Sequence, residues 1–170
     1  YSYHAMQTAT QLFEKAGRPD QAEKCSKISV VLRKAFQDHF WTKDHCVEYI
    51  HPEKGPVSSH GFTDVDWAAI ATGILDKKRI ALVWPRIKDD VDFIYSDIPT
   101  GISTKPETYE DWEMQGIDRH DLAAMGRVWF LECWARSRMN DRKGIIKSIE
   151  LVSAKGRAND WSWMERYYSR

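Results

Sequence analysis

The sequence has no net charge: 25 lysines and arginines are matched by 25 aspartates and glutamates, and no lysine-arginine block stands out. The long-range field that gathers nucleic acid or anionic lipid is therefore missing, and neither is expected as a partner. No run of about 18 apolar residues occurs, so no segment reads as a membrane span, and no charged-then-apolar leader is written within these residues. The compartment stays open. Cysteine is scarce: Cys25, Cys46 and Cys133 are odd in number and widely spaced, which excludes a disulfide framework and a CxxC-type zinc site. There is no Gly-rich phosphate loop, nucleophile elbow or HExxH motif, and no fixed-period repeat of the tetratricopeptide, ankyrin or HEAT kind. No cofactor is expected.

What is present is an apolar fraction of 42% over 170 residues, enough for one domain with a real core, and eight tryptophans. Leucine fills helical cores adequately, so this tryptophan density points to an aromatic-lined cavity. The pattern is helical almost throughout. Ala5, Ala9, Leu12, Phe13 and Ala16 recur at helical spacing until Gly17 offers a stop, and Pro19 with Asp20 restarts a helix whose inner stripe reads Cys25, Ile28, Leu32, Ala35 and Phe36. Cys25 and Cys133 fall on apolar helical positions and read as core. Thr63 followed by Asp66 matches a reciprocal capping arrangement for a helix burying Trp67, Ile70, Ala71, Ile74 and Leu75. Lys77 to Trp84 is helical again; Pro85 predicts a break, with a second short helix over Asp89 to Tyr95. Asp118 is expected to cap a long helix with Leu122, Met125, Trp129 and Cys133 inward and Gly126 allowing a close approach. Asn140 or Asp141 caps the last helix, carrying Ile145, Ile149 and Val152, and Gly156 ends it. The expected fold is all-α, three successive helical hairpins with long loops leaving one side.

Those loops carry the chemistry. From Phe40 to Gly61 the helical period is lost, and a short strand or β-turn excursion fits, too short to organise a sheet. His60, Asp64 and Asp66 sit where this loop meets the next helix, placed to bond sugar hydroxyls, although Asp66 is also a capping partner and Asp64 suits a helix first turn. Tyr109, Trp112 and Glu113 occupy a second long loop, either framing a pocket or anchoring that loop. The last segment, Trp161-Ser162-Trp163-Met164-Glu165-Arg166-Tyr167, crowds indoles around a carboxylate and an arginine. Flat apolar faces suit pyranose rings and charged groups suit hydroxyls. A carboxylate among indoles is desolvated and able to position a water, and Glu165 is the leading candidate for chemistry; the plainer alternative is a surface pair with Arg166. His60, Asp64 and His120 match no metal-ligand spacing, and no metal is expected.

Several stretches resemble six-hairpin glycoside hydrolases, and in particular α-L-rhamnosidase-like enzymes. They are Tyr3-His4-Ala5-Met6, Ala16-Gly17-Arg18, Ala35-Phe36 with Phe40-Trp41, Gly61-Phe62-Thr63-Asp64-Val65-Asp66-Trp67-Ala68-Ala69, Asp121-Leu122-Ala123-Ala124-Met125-Gly126-Arg127 and Trp161 to Tyr167. The likeness covers nearly the whole chain through loose matches. It implies that residues 1–170 are part of an (α/α)6 toroidal glycosidase-type catalytic domain supplying the later hairpins, with Glu165 as general base, Trp161 and Trp163 as pocket walls, and the general acid carried by an earlier hairpin. A helical pattern that begins at Tyr1 with no capping lead-in gives the same expectation of a piece of a larger protein. The partners implied are a carbohydrate substrate and the remainder of the toroid or a companion chain. Two other classes stay open: an epimerase or lyase on the same toroid, with chemistry at His60 or His120, and a non-catalytic carbohydrate-binding or helical interaction module.

Overall fold

A computed structural model describes residues 1–89, 94–95, 98–99, 108–114, 123–124, 129–162 and 167–168, with the backbone alone for 94–95, 98–99, 123–124 and 167–168. The chain is all-α: the described residues form seven helices and three small two-stranded antiparallel ladders. No helix among them is long and apolar enough to cross a membrane, and all three cysteines are free.

Helices α1 (Ser2–Lys15) and α2 (Pro19–His39) pack as the expected hairpin. Their turn follows from local chemistry. Gly17 takes a left-handed φ of 68°, and the amides of Gly17 and Arg18 close on the carbonyls of Glu14 and Phe13 at 3.1 and 2.9 Å. This reversed-bond ending needs a residue without a Cβ penalty, and Pro19 then supplies a first helical position that has no amide to leave unsatisfied. The buried faces, however, are rotated from the expected stripes. On α1 the buried residue is Tyr3, with Met6, Thr10 and Phe13 half-buried below it, while Ala5 and Leu12 are exposed. On α2 the face is centred on Ala22 and Ser29, with Cys25, Leu32 and Phe36 half-buried, and Ile28 and Ala35 face outward. Ser29 serves the contact because it is small and its hydroxyl is satisfied by donating to the Ser26 carbonyl at 2.8 Å. A reading guided by apolarity alone passes over it.

Helix α3 (Asp64–Thr72) is the centre of the fold. Trp67, Ile70 and Ala71 are completely buried, and Ile74 and Leu75 beyond its end are buried too, as the sequence predicts. Burying a side chain of that size contributes roughly 1.5–3 kcal/mol. Both ends are pinned by distant groups. At the N-terminus Thr63 caps, and the Asp66 carboxylate accepts from the Thr63 amide at 3.1 Å and the Cys46 amide at 2.8 Å. At the C-terminus Gly73, left-handed at φ 74°, turns the chain so that Arg33 of α2 donates to the carbonyls of Gly73, Ile74 and Leu75 at 3.0–3.1 Å.

Helix α4 (Lys77–Ile87), capped by Asp76, runs straight through Pro85 instead of breaking before it. Proline forfeits one ladder bond, yet Ile87 beyond it is completely buried and Lys88 resumes the ladder on the Trp84 carbonyl at 3.2 Å. Core packing outweighs the local penalty. The short helix expected over Asp89 to Tyr95 is also corrected: Ile94–Tyr95 is strand β3, paired with β4 (Ile98–Pro99). Isoleucine and tyrosine favour strands once a partner is available.

A third correction concerns the long helix expected after Asp118, although Asp118, Leu122, Met125 and Gly126 themselves lie outside the described residues. Ala123–Ala124 is strand β5, paired with β6 (Tyr167–Tyr168), and helix α6 begins at Trp129 and ends at Arg138. Pairing with a segment more than 40 residues away (168 − 123 = 45) has no local signature. Asp141 then caps helix α7 (Arg142–Ala158), its side chain accepting from the Gly144 amide at 3.0 Å. α7 continues past Gly156, which is buried inside it, and Ile149 is exposed while Ser148 faces inward and accepts from the Trp129 indole at 2.7 Å. The hairpin pairing is corrected in turn: α1 packs on α2 and α6 on α7, but α3 packs chiefly on α6 across the core.

Replacing Asp66 with alanine leaves two buried amides without an acceptor. A loss of about 3 kcal/mol in unfolding free energy is expected from chemical denaturation. A loss below about 1 kcal/mol would mean that the amides find other partners.

Candidate functional site

The excursion between α2 and α3 forms a β-hairpin, β1 (Tyr49–His51) against β2 (Gly55–Val57), with Tyr49 opposite Val57 and His51 opposite Gly55. It is fixed at its base: Trp41 bridges Cys46, the Val47 amide bonds the Phe40 carbonyl at 3.0 Å, and Cys46 and Val47 are buried. Glu48 and Tyr49 follow at once. The chain then returns through Ser58, whose carbonyl accepts from His45, to His60 just before the Thr63 cap. A short helix, α5 (Asp111–Met114), meets the hairpin through Trp112 and Glu113.

His60 is the hub. Its side chain is 2% exposed, and both ring nitrogens meet carboxylates: Nδ1 bonds Glu48 Oε2, and Nε2 lies 3.2 Å from Glu113 Oε1 and 3.3 Å from Oε2. Each ring nitrogen therefore has a carboxylate partner, and the imidazole is held at both ends. The ring is stacked on Tyr109 with centroids 3.8 Å apart and planes 13° from parallel. Glu113 also accepts from the Tyr49 hydroxyl and, at 2.7 Å, from the Glu110 amide. Three segments distant in sequence are thus joined through one imidazole.

The electrostatics divide the carboxylates. Burial works against ionised Glu113, but the donors from Tyr49, the Glu110 amide and His60 together outweigh it and hold its carboxyl below the ordinary value. Asp64 goes the other way: burial first, then the charge of Glu48, raise its carboxyl above the ordinary 3.8. Tyr49 and Tyr109 are both pushed up, chiefly by burial; Tyr49 also through its bond to Glu113, and Tyr109 through the charges of Glu48, Glu113 and Asp64. Among the described residues, then, a buried charged network lies beside a carboxyl poised toward its protonated form.

Of the residues singled out from sequence, His60, Asp64, Tyr109 and Glu113 come together here. Trp112 lies alongside on α5, its ring 5.0 Å from the His51 ring in an edge contact and 4.9 Å from Lys54 Nζ, so that it ties α5 to the hairpin. Asp66 is a structural residue committed to two backbone amides. Trp161 follows the end of α7, is 60% exposed and has a left-handed φ of 57°. Glu165, Trp163 and His120 lie outside the described residues. No metal-binding group of histidine, cysteine or carboxylate side chains occurs among the described residues. Sequence reading missed Glu48 and Tyr49 as site residues. The available signal was a glutamate set between the apolar Val47 and Tyr49, directly before a short strand.

The folded state favours protonated Asp64. Its contribution to stability is therefore complete below the ordinary value of 3.8 and is lost as pH rises through the raised folded value. The permanently neutral Asp64→Asn variant is expected to gain on the parent as pH rises across that window, with the gap closing in acid. Equal pH dependence of the two in denaturant titrations would refute this. No family model matches the chain, and no curated protein and no solved structure matches it.

Proposed function

We propose that this chain is part of the catalytic domain of an all-helical, toroidal glycoside hydrolase, with Glu165 as the general base and Trp161 and Trp163 as walls of the sugar pocket. The observation that carries the reading is the junction of Glu48, His60, Asp64 and Glu113 with Tyr49 and Tyr109 on a loop-built side of a helical body. Sugar sites need this combination: carboxylates that accept from ring hydroxyls, aromatic faces beside them, and carboxyls whose environments drive their protonation apart.

In the proposed reaction Glu165 takes a proton from a water that attacks the anomeric carbon, while a carboxylic acid from another part of the toroid protonates the departing oxygen. The two carboxyls would stand about 6.5–9.5 Å apart for inversion and about 5–5.5 Å apart for retention. The remainder of the toroid, from the same or a companion chain, would complete the pocket. An epimerase or lyase working through His60 has less support. A ring bonded on both nitrogens by carboxylates is poorly placed to take a substrate proton.

Glu165→Gln in the full-length protein is the test, read as hydrolysis of an aryl α-L-rhamnopyranoside. A fall of roughly 100-fold or more is expected on loss of a general base. Hydrolysis persisting within about tenfold of the parent would remove Glu165 from that role, and sugar binding without turnover by the parent would favour a non-catalytic carbohydrate-binding module.

A further inference from the structure

Glu48 and Glu113 grip the same imidazole but differ in what they have left to offer. Glu113 is spent on the protein: its two oxygens take the Tyr49 hydroxyl, the Glu110 amide and both approaches of His60 Nε2, and its side chain is 3% exposed. A carboxylate has about four acceptor positions, and the protein fills those of Glu113. Among the described residues Glu48 is bonded through Oε2 alone, and its side chain is 24% exposed. Its backbone is held by the hairpin, the Glu48 amide donating to the Val57 carbonyl at 2.9 Å. The network therefore runs from a buried, saturated carboxylate, through an imidazole held flat by Tyr109, to a carboxylate that reaches solvent beside Asp64.

We propose that Glu48 is the carboxylate of this cluster that contacts the glycoside, accepting from ring hydroxyls, and that His60 is the residue that positions it. The inference rests on the glycosidase reading and deepens it. Glu113, Tyr49 and the Glu110 amide fix the imidazole from behind, the imidazole fixes Glu48, and Glu48 presents Oε1 to the sugar. Asp64, on the adjoining first turn of α3, is the carboxyl that burial, and after it the charge of Glu48, raises above its ordinary value.

The experiment compares parent, Glu48→Gln, His60→Ala and the double variant in the full-length protein. It uses hydrolysis of an aryl α-L-rhamnopyranoside, together with calorimetric binding of free L-rhamnose in a Glu165→Gln background. Glu48→Gln is close to isosteric and is expected to raise KM and weaken rhamnose binding by roughly 10- to 100-fold, the size of one lost charged hydrogen bond. His60→Ala is expected to weaken binding comparably, and the double variant to be no worse than Glu48→Gln alone, because a positioning residue acts only through the group it positions. If His60→Ala does not fold, His60→Gln, which retains one donor, takes its place in the cycle. Binding by Glu48→Gln within about twofold of a parent that hydrolyses the glycoside overturns the assignment and leaves the glycosidase reading standing. Additive losses overturn the positioning role of His60. A folded parent that neither binds nor hydrolyses any glycoside sinks the glycosidase reading itself, and this inference with it.

Discussion

The carboxylate of Asp66 is the constraint on which the rest of the structure depends. It is completely buried and raised in pKa by that burial, and it is kept there by two backbone amides, one closing the N-terminus of α3 and one 20 residues earlier at the base of the hairpin. A buried carboxylate costs several kcal/mol in desolvation unless its acceptors are used. Here each oxygen is used, and the donors are groups that would otherwise be buried without partners. The hairpin is therefore fixed to the helix by a bond between main chain and core, and the residues on either side of it, Glu48 and His60, inherit that fixed geometry.

The opposite end of α3 is treated in the same way. The carbonyls that directly follow its last turn, Gly73 to Leu75, are satisfied by the guanidinium of Arg33 from α2, with Gln37 bonding the Ile74 carbonyl at 3.3 Å. Between the two ends Trp67 packs under Arg136, which lies 5.3 Å from its ring and bonds Glu132, Asp141 and the Lys88 carbonyl. Breaking such a partly buried ion cluster costs more than building it gains. Its value lies in fixing one arrangement: α4, α6 and the start of α7 are held in register around the same indole. A helix clamped at both ends and its middle is a rigid base for a loop-borne site.

The features legible in the sequence are those whose physics acts within a few residues. Gly17 and Pro19 mark a helix end and restart because a left-handed residue and a missing amide matter only locally, and Thr63 with Asp66 announces a cap for the same reason. The core side of α3 was legible because it is apolar on nearly every face. Faces of α1 and α2 were misjudged by a fraction of a turn because the contact needs a small residue at Ser29, not the most apolar one. The pairing of Ala123–Ala124 with Tyr167–Tyr168 could not be read at all, since neither dipeptide carries its partner's address. The site shows the same division. His60, Asp64 and Glu113 were visible as polar residues at loop boundaries, but Glu48 acquires its meaning only from an imidazole 12 residues ahead, itself held by a carboxylate 53 residues further on.

Charge in this cluster also bears on what it could hold. Glu48, Asp64 and Glu113 supply three carboxyls, and among the described residues His60 is the one basic side chain bonded to Glu48 or Glu113. After burial, it is the nearby carboxylates that raise Asp64 and Tyr109: Glu48 for Asp64, and Glu48, Glu113 and Asp64 for Tyr109. An anionic ligand brought there would meet repulsion of about 4 kcal/mol per unit charge at 4 Å in a surface-like dielectric. A neutral polyol meets none and supplies hydroxyl donors to Glu48, whose Oε2 alone is bonded among the described residues. On the proposed reading, an uncharged sugar is the ligand class that this grouping of carboxyls opposes least.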